Sequence, residues 1–229
     1  MIRSIIAGLV FSLLLFGCAV KSKKLQNVID EKLVETTNSS KQYQKGTSNL
    51  DISLRINKGI SLVTNCEQIS SSFVPAFFYW GWNSEINCEI GREYLEEHLK
   101  REMIAKIEDE GLHSYFQDKK IIIDINAIPT KFKFQDKGNV IYLVIAYSMA
   151  QKRYFAPELT DFKGTYKIVD KDNNVITENN FEKPLTLKSQ TSNTKSTKKL
   201  SWQYLENYNV EINRFVKIIF NDMNEKIQR

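Results

Sequence analysis

Between residues 202 and 227 an apolar side chain recurs at every third or fourth position: Leu205, Tyr208, Ile212, Phe215, Ile219, Met223 and Ile227. That spacing follows the 3.6-residue period of an α-helix and puts all of them on one face. A stripe this long must be buried against a broad apolar surface, and strand-like runs upstream supply one. Ile52, Leu54 and Ile56, then Ile60 and Leu62, alternate with polar residues in the period of two typical of half-buried strands. Further strands are expected over 120–128, 130–135, 164–169 and 175–181, with a last short one at 185–187. Asp136, Lys137, Gly138 and Asn139 are turn formers, expected to lead into 140–149, an apolar run typical of a central strand. A second helix is expected over 89–110. Tyr94, Leu95, Leu99, Met103 and Ile107 share one of its faces, and Gly111 stops it in a left-handed cap. The expected fold class is α+β: one antiparallel sheet of about four to six strands with both amphipathic helices on one face.

The chain has 229 residues, of which 42% are apolar and 26% charged, which excludes wholly disordered and collagen-like classes. One long apolar run, confined to the first 17 residues, excludes a polytopic bundle of membrane helices. It has the layout of a secretion signal: Arg3, then a nearly unbroken apolar stretch from Ile5 to Phe16, then Gly17 and Cys18. The stretch is shorter than the ~20 residues a spanning helix needs.

Its end, Leu15-Phe16-Gly17-Cys18, resembles the bacterial lipobox. The resemblance implies cleavage after Gly17 and acylation of Cys18, which becomes the first mature residue and holds the protein to a membrane through its acyl chains. Ala19 follows where an Asp would retain an enterobacterial lipoprotein in the inner membrane, so the resemblance implies the outer membrane and its periplasmic side. The expected organisation is a signal peptide at 1–17, a lipidated N-terminus and polar tether at 18–50, and a single α+β domain at 51–229. Within the tether, Leu25, Val28, Ile29 and Leu33 form a stripe that fits two turns of helix. Removing residues 1–17 takes away one Arg and no acid, so the formal charge falls from +5 to +4. A charge so mild does not point to nucleic acid, and no nucleic-acid partner is expected.

Setting Cys18 aside leaves Cys66 and Cys88 as an even pair in an oxidising compartment, and a disulfide is expected. Two distant thiols with His98 and His113 match no metal-ligand spacing, so no metal is expected. Nor is there a phosphate-cradling glycine loop, a GxSxG elbow or an HExxH pair. Glu96, Glu97 and His98 read as a charged helical face, with His98 packed beside Tyr94 and Leu99. His113 follows the helix stop with only Ser114 near it as a nucleophile. Asp170, Asp172 and Asn174 alternate like the start of a calcium loop, but Val175 replaces the required Gly and Phe181 the closing Glu. A hairpin turn is the better reading. No catalytic residue and no cofactor is expected.

Two stretches are candidate contact sites. Phe73, Phe77, Phe78, Tyr79, Trp80 and Trp82 crowd the segment between the paired cysteines, and no charge falls between Glu67 and Glu85. Two readings stay open: the segment folds back to complete the core, or it lies at the surface and meets an envelope protein. Lys183, Lys188, Lys195, Lys198 and Lys199 form a basic stretch, read as a solvated flexible loop over 188–199 or as a dock for an acidic or phosphorylated partner.

The order of elements is a helix, the strand around Ile121-Ile122-Ile123-Asp124-Ile125, a hairpin with the turn Asp170-Lys171-Asp172-Asn173-Asn174, and a terminal helix. It resembles the YajG-like outer-membrane lipoproteins and, more distantly, the auxiliary lipoproteins of ABC-type lipid transporters. The resemblance implies a non-enzymatic accessory role in an envelope assembly for secretion, motility or transport. The alternative is the handling of lipid or lipopolysaccharide, which requires an apolar cleft between sheet and helices.

Overall fold

The long C-terminal stripe is covered by two sheets. The computed structural model describes residues 19–41, 50–57, 59–143 and 146–227. Along the chain lie helix α1 (Ser22–Lys41) and strands β1 (Asp51–Ile56), β2 (Asn65–Ala76) and β3 (Tyr79–Glu89). Helix α2 (Arg92–Asp109) and a single turn α3 (His113–Phe116) come next. Strands β4 (Lys120–Ala127), β5 (Lys131–Leu143), β6 (Ala146–Pro157), β7 (Phe162–Val169), β8 (Val175–Lys183) and β9 (Gln190–Ser192) follow, and helix α4 (Thr197–Ile227) closes the fold.

One sheet has the order β1-β4-β7-β8, the other β2-β3-β5-β6-β9. Pairing is antiparallel except between β1 and β4, which run parallel. Helix α4 touches both. Near its start Tyr204 packs on Phe132 and Phe155 of the five-stranded sheet, at ring separations of 4.9 and 5.2 Å. Further along, Phe215 stacks on Phe162 of the four-stranded sheet at 4.4 Å, and the Tyr166 hydroxyl donates to Asp222 across 2.5 Å. Alternation turns Ile121, Ile123 and Ile125 of β4 into this core. Gly164 in β7 is a close approach: a Cβ there would lie 2.4 Å from the Asp124 carbonyl oxygen and 2.5 Å from the Phe181 ring.

Local signals hold where they are local. Helix α2 buries Leu95, Leu99, Met103 and Ile107, and Gly111 beyond it has φ +67°. The β7–β8 turn is an Asp170 turn: its carboxylate accepts the backbone N–H of Asp172 at 2.9 Å and of Asn174 at 2.8 Å. Cys66 and Cys88 form a disulfide between directly paired positions of β2 and β3, Cα to Cα 4.1 Å.

Several expectations are corrected. The single antiparallel sheet is two sheets with one parallel pair, and α4 meets strands of both, so helices on one sheet face do not describe it. The stretch 136–139 does not turn; β5 runs through it unbroken, and 140–149 is shared between β5 and β6. Residues 60 and 62 lie outside any strand, 185–187 likewise, and the last short strand is β9. The segment read as a tether is helical over 22–41. Leu25, Ile29 and Leu33 are buried, Gln26 donates to the Thr64 carbonyl at 2.9 Å, and Trp202 of α4 donates to the Val28 carbonyl at 3.2 Å. The body therefore starts before residue 51. The signal peptide and Cys18 lie outside the described residues, as do 42–49. Among the described residues no helix is long and apolar enough to cross a membrane.

Candidate functional site

Strands β2, β3, β5 and β6 continue past the body as a four-stranded blade, and register shows what each level carries. At its root Cys66, Cys88, Phe132 and Pro157 lie in one row, with Ile86, Phe134 and Phe155 buried in the next inward-facing row. Two residues outward the row turns polar: Ser71, Ser84, Asp136 and Arg153. Ser84 and Asp136 are fully buried. The Ser84 hydroxyl donates to the Val20 carbonyl at 2.6 Å, Gln151 donates to Asp136 at 2.8 Å, and Arg153 pairs with Asp136 at 3.6 Å while donating to the Lys195 carbonyl at 2.7 Å. A buried carboxylate is tolerable there because a cation and an amide face it.

The next row is Phe73, Trp82, Gly138 and Gln151. Trp82 is only 4% exposed, and its indole crowds Gly138: a Cβ on Gly138 would stand 2.3 Å from the ring. That is why the Asp136–Asn139 stretch runs straight, its glycine clearing space for a cross-strand ring rather than making a turn.

Beyond Trp82 the apolar side chains lose their cover. Two hairpin ends meet at the tip: Ala76 pairs with Tyr79 across the Phe77–Phe78 turn, and Leu143 pairs with Ala146. The Tyr142 N–H donates to the Phe78 carbonyl at 2.9 Å and ties the ends together. Phe77 is 87% exposed and Tyr147 73%; Phe78, Tyr79, Ile141, Tyr142, Leu143 and Met149 are exposed too. Trp80, half-buried, lies 6.4 Å from the Tyr142 ring. The two open readings of the aromatic segment thus divide within it. Trp82 is a packing residue, and Phe77, Phe78 and Tyr79 are surface. The other half of the tip, Ile141, Tyr142, Leu143, Tyr147 and Met149, is not legible as surface in the sequence, although 138–151 is as free of charge as 68–84, because an apolar run has the pattern of a central strand.

The basic stretch is not gathered into one site. Lys198 and Lys199 lie in the first turns of α4. Lys198 pairs with Glu31 at 2.6 Å and sits 4.4 Å over the Trp202 ring, and Lys195 donates to Gln203. Lys183 and Lys188 are exposed elsewhere on the surface. His98 is buried as a packing residue. Its Nδ1 accepts from the Arg101 guanidinium at 2.5 Å, so its Nε2 carries the proton and donates to Asn213 at 2.9 Å. Burial first, then the Arg101 charge, lower its pKa to about 4. His113 begins the single turn α3. Among the described residues no three His, Cys, Asp or Glu side chains group as a metal site.

No protein-family model matches this chain, and no curated protein and no solved structure is found similar to it.

Proposed function

We propose that this chain is a lipid-anchored protein on the periplasmic side of the outer membrane, a non-enzymatic accessory of an envelope assembly, and that it works by docking through the tip of the blade. The observation that carries the reading is the tip itself: large apolar side chains on both hairpin ends, held out by a sheet that is stapled by Cys66–Cys88 at its root. A soluble surface rarely spends so many aromatic residues in one patch unless something covers them. Full burial of a side chain of this size is worth about 1.5–3 kcal/mol, so a few of them suffice for a stable contact. Anchoring at Cys18 would keep the tip at high local concentration near other envelope components.

The test is a photo-crosslinking side chain placed at Phe77 in intact envelopes. Adducts that disappear when Trp80 and Tyr147 are replaced by Ser, with the fold intact, support docking. A chain that stays uncrosslinked overturns it. In the same cells Cys18→Ala is expected to release the protein from the membrane fraction.

A further inference from the structure

Resting on that reading, we infer that what the blade docks on is the lipid surface itself, with its tip at the boundary between head groups and acyl chains and Lys137 and Lys152 above it among the head groups. The first ground is the distribution of charge. Residues 68–84 and 138–151 contain no Asp, Glu, Lys or Arg. Immediately behind them Lys137 and Lys152 face each other across the β5–β6 ladder, both exposed and with no acidic partner among the described residues. Like charges directly opposite one another weaken a sheet, and an anionic surface would relieve the pair.

The second ground is height. Lys137 pairs with Asn83, the residue next to Ser84, and Ser84 holds the Val20 carbonyl. The chain therefore reaches the body level with the lysines. Cys18 precedes Val20 by two residues in the sequence. An acyl anchor on Cys18 would thus hold this level of the blade close to the lipid, with Val20 on the Ser84 face of the sheet and Lys137 and Lys152 on the opposite face.

The third ground is shape. Tyr142, Tyr147 and Met149 lie on the Trp80 side of the sheet, and Tyr79, Ile141 and Leu143 on the other. A protein partner would have to wrap both faces and the tip, whereas an apolar interior accepts a projection from every side. A second copy adding its strand to β2 meets Pro75, which lacks the N–H that such pairing needs.

Backbone physics limits the depth. The outer edges of β2 and of the tip of β6 carry unpaired peptide groups that hydrocarbon does not tolerate. Only the last rows enter, about 5–10 Å, as for other interfacial elements. Asn83 and Phe78 are five positions apart, about 17 Å at the rise of a strand. Lys137 and Lys152 then stay roughly 10 Å outside the hydrocarbon, a distance their long side chains can cover to reach head groups. Tyr79, Trp80, Tyr142 and Tyr147 fall at the level where aromatic side chains concentrate in membrane proteins.

The test uses the whole acylated chain in vesicles of phosphatidylethanolamine and phosphatidylglycerol that carry spin-labelled acyl chains. Trp82→Phe with Trp202→Phe leaves Trp80 as the only emitter, and Trp80→Phe with Trp82→Phe leaves Trp202, in the body, as the control. Trp80 is expected to be blue-shifted and quenched several-fold more than Trp202. Adding Phe77→Ser and Phe78→Ser should bring Trp80 down to the control while the disulfide still forms. Lys137→Glu with Lys152→Glu should reduce quenching in these vesicles more than in neutral phosphatidylcholine. Trp80 quenched no more than Trp202 overturns the inference. If position 77 then crosslinks to a protein, docking stands and the lipid surface is the wrong partner; if it crosslinks to nothing, both readings fall.

Discussion

Ser84 and Val20, distant in sequence, are joined by a buried hydrogen bond of 2.6 Å that ties the start of the described chain to the polar row of the blade. Ser84→Ala would leave the Val20 carbonyl buried without a donor. The expected cost is about 1–3 kcal/mol, measured as a drop in the urea midpoint. An unchanged midpoint would mean that this hydrogen bond contributes nothing to stability.

Asp136 and Arg153 offer a sharper test, because one is fully buried and the other is its cation. Arg153→Met should destabilise by roughly 3–5 kcal/mol, since it strands a buried carboxylate. Adding Asp136→Leu should recover most of that loss, because a well-packed apolar pair often replaces a buried ion pair at little cost. Additive losses in this double-mutant cycle would show that the two residues are not coupled.

Gly138→Ala places a methyl group against the Trp82 ring and the Ala150 carbonyl, which lie 2.3 and 2.7 Å from the ideal Cβ. Overpacking of this kind costs about 1–3 kcal/mol. Combining it with Trp82→Phe removes the half of the indole that clashes and should restore part of the stability. Near-ultraviolet circular dichroism reports the ring's loss of order directly.

His98 makes stability depend on pH in a stated window. Its folded pKa of about 4 lies below the ordinary value, so the unfolded chain binds the extra proton first. The contribution is complete above about pH 6.5 and is lost as pH falls toward 4, on the order of 3 kcal/mol in all. Urea midpoints should decline between pH 6.5 and 5, and His98→Gln should flatten that decline. Parallel slopes for the two proteins would assign the effect to other groups.

The Cys66–Cys88 bond closes a loop between positions 22 apart and holds the edge strand β2 to β3. Cys66→Ser with Cys88→Ser should lower stability by about 3 kcal/mol, read from denaturation with and without reductant. The loss should be the same whether thiols are reduced or replaced.

What could be read from sequence is what the backbone decides locally. The stripe from Leu205 to Met223 and the one from Leu95 to Ile107 are properties of a 3.6-residue period, and both are buried. The Asp170 turn and the left-handed Gly111 follow from the side chains at those positions. The pairing of Cys66 with Cys88 followed from an even count in an oxidising setting, and the structure forms that bond. Leu25, Val28, Ile29 and Leu33 were also visible as a stripe, but too short a one to show that the Val28 carbonyl accepts from Trp202 of α4.

The rest depended on what lies opposite. Gly138 has turn chemistry, yet it sits mid-strand because Trp82 arrives over it from β3. Phe77 and Trp82 belong to one aromatic run, and only one of them is exposed. The run itself marks out a strand pair rich in aromatic residues; cover is lost only beyond Trp82, one row outside the buried Ser84 and Asp136. Periodicity is set by the geometry of one segment, whereas burial is a relation between segments, so the pattern of this chain was written in its sequence and the exposure of its tip was decided only when the two sheets and α4 came together.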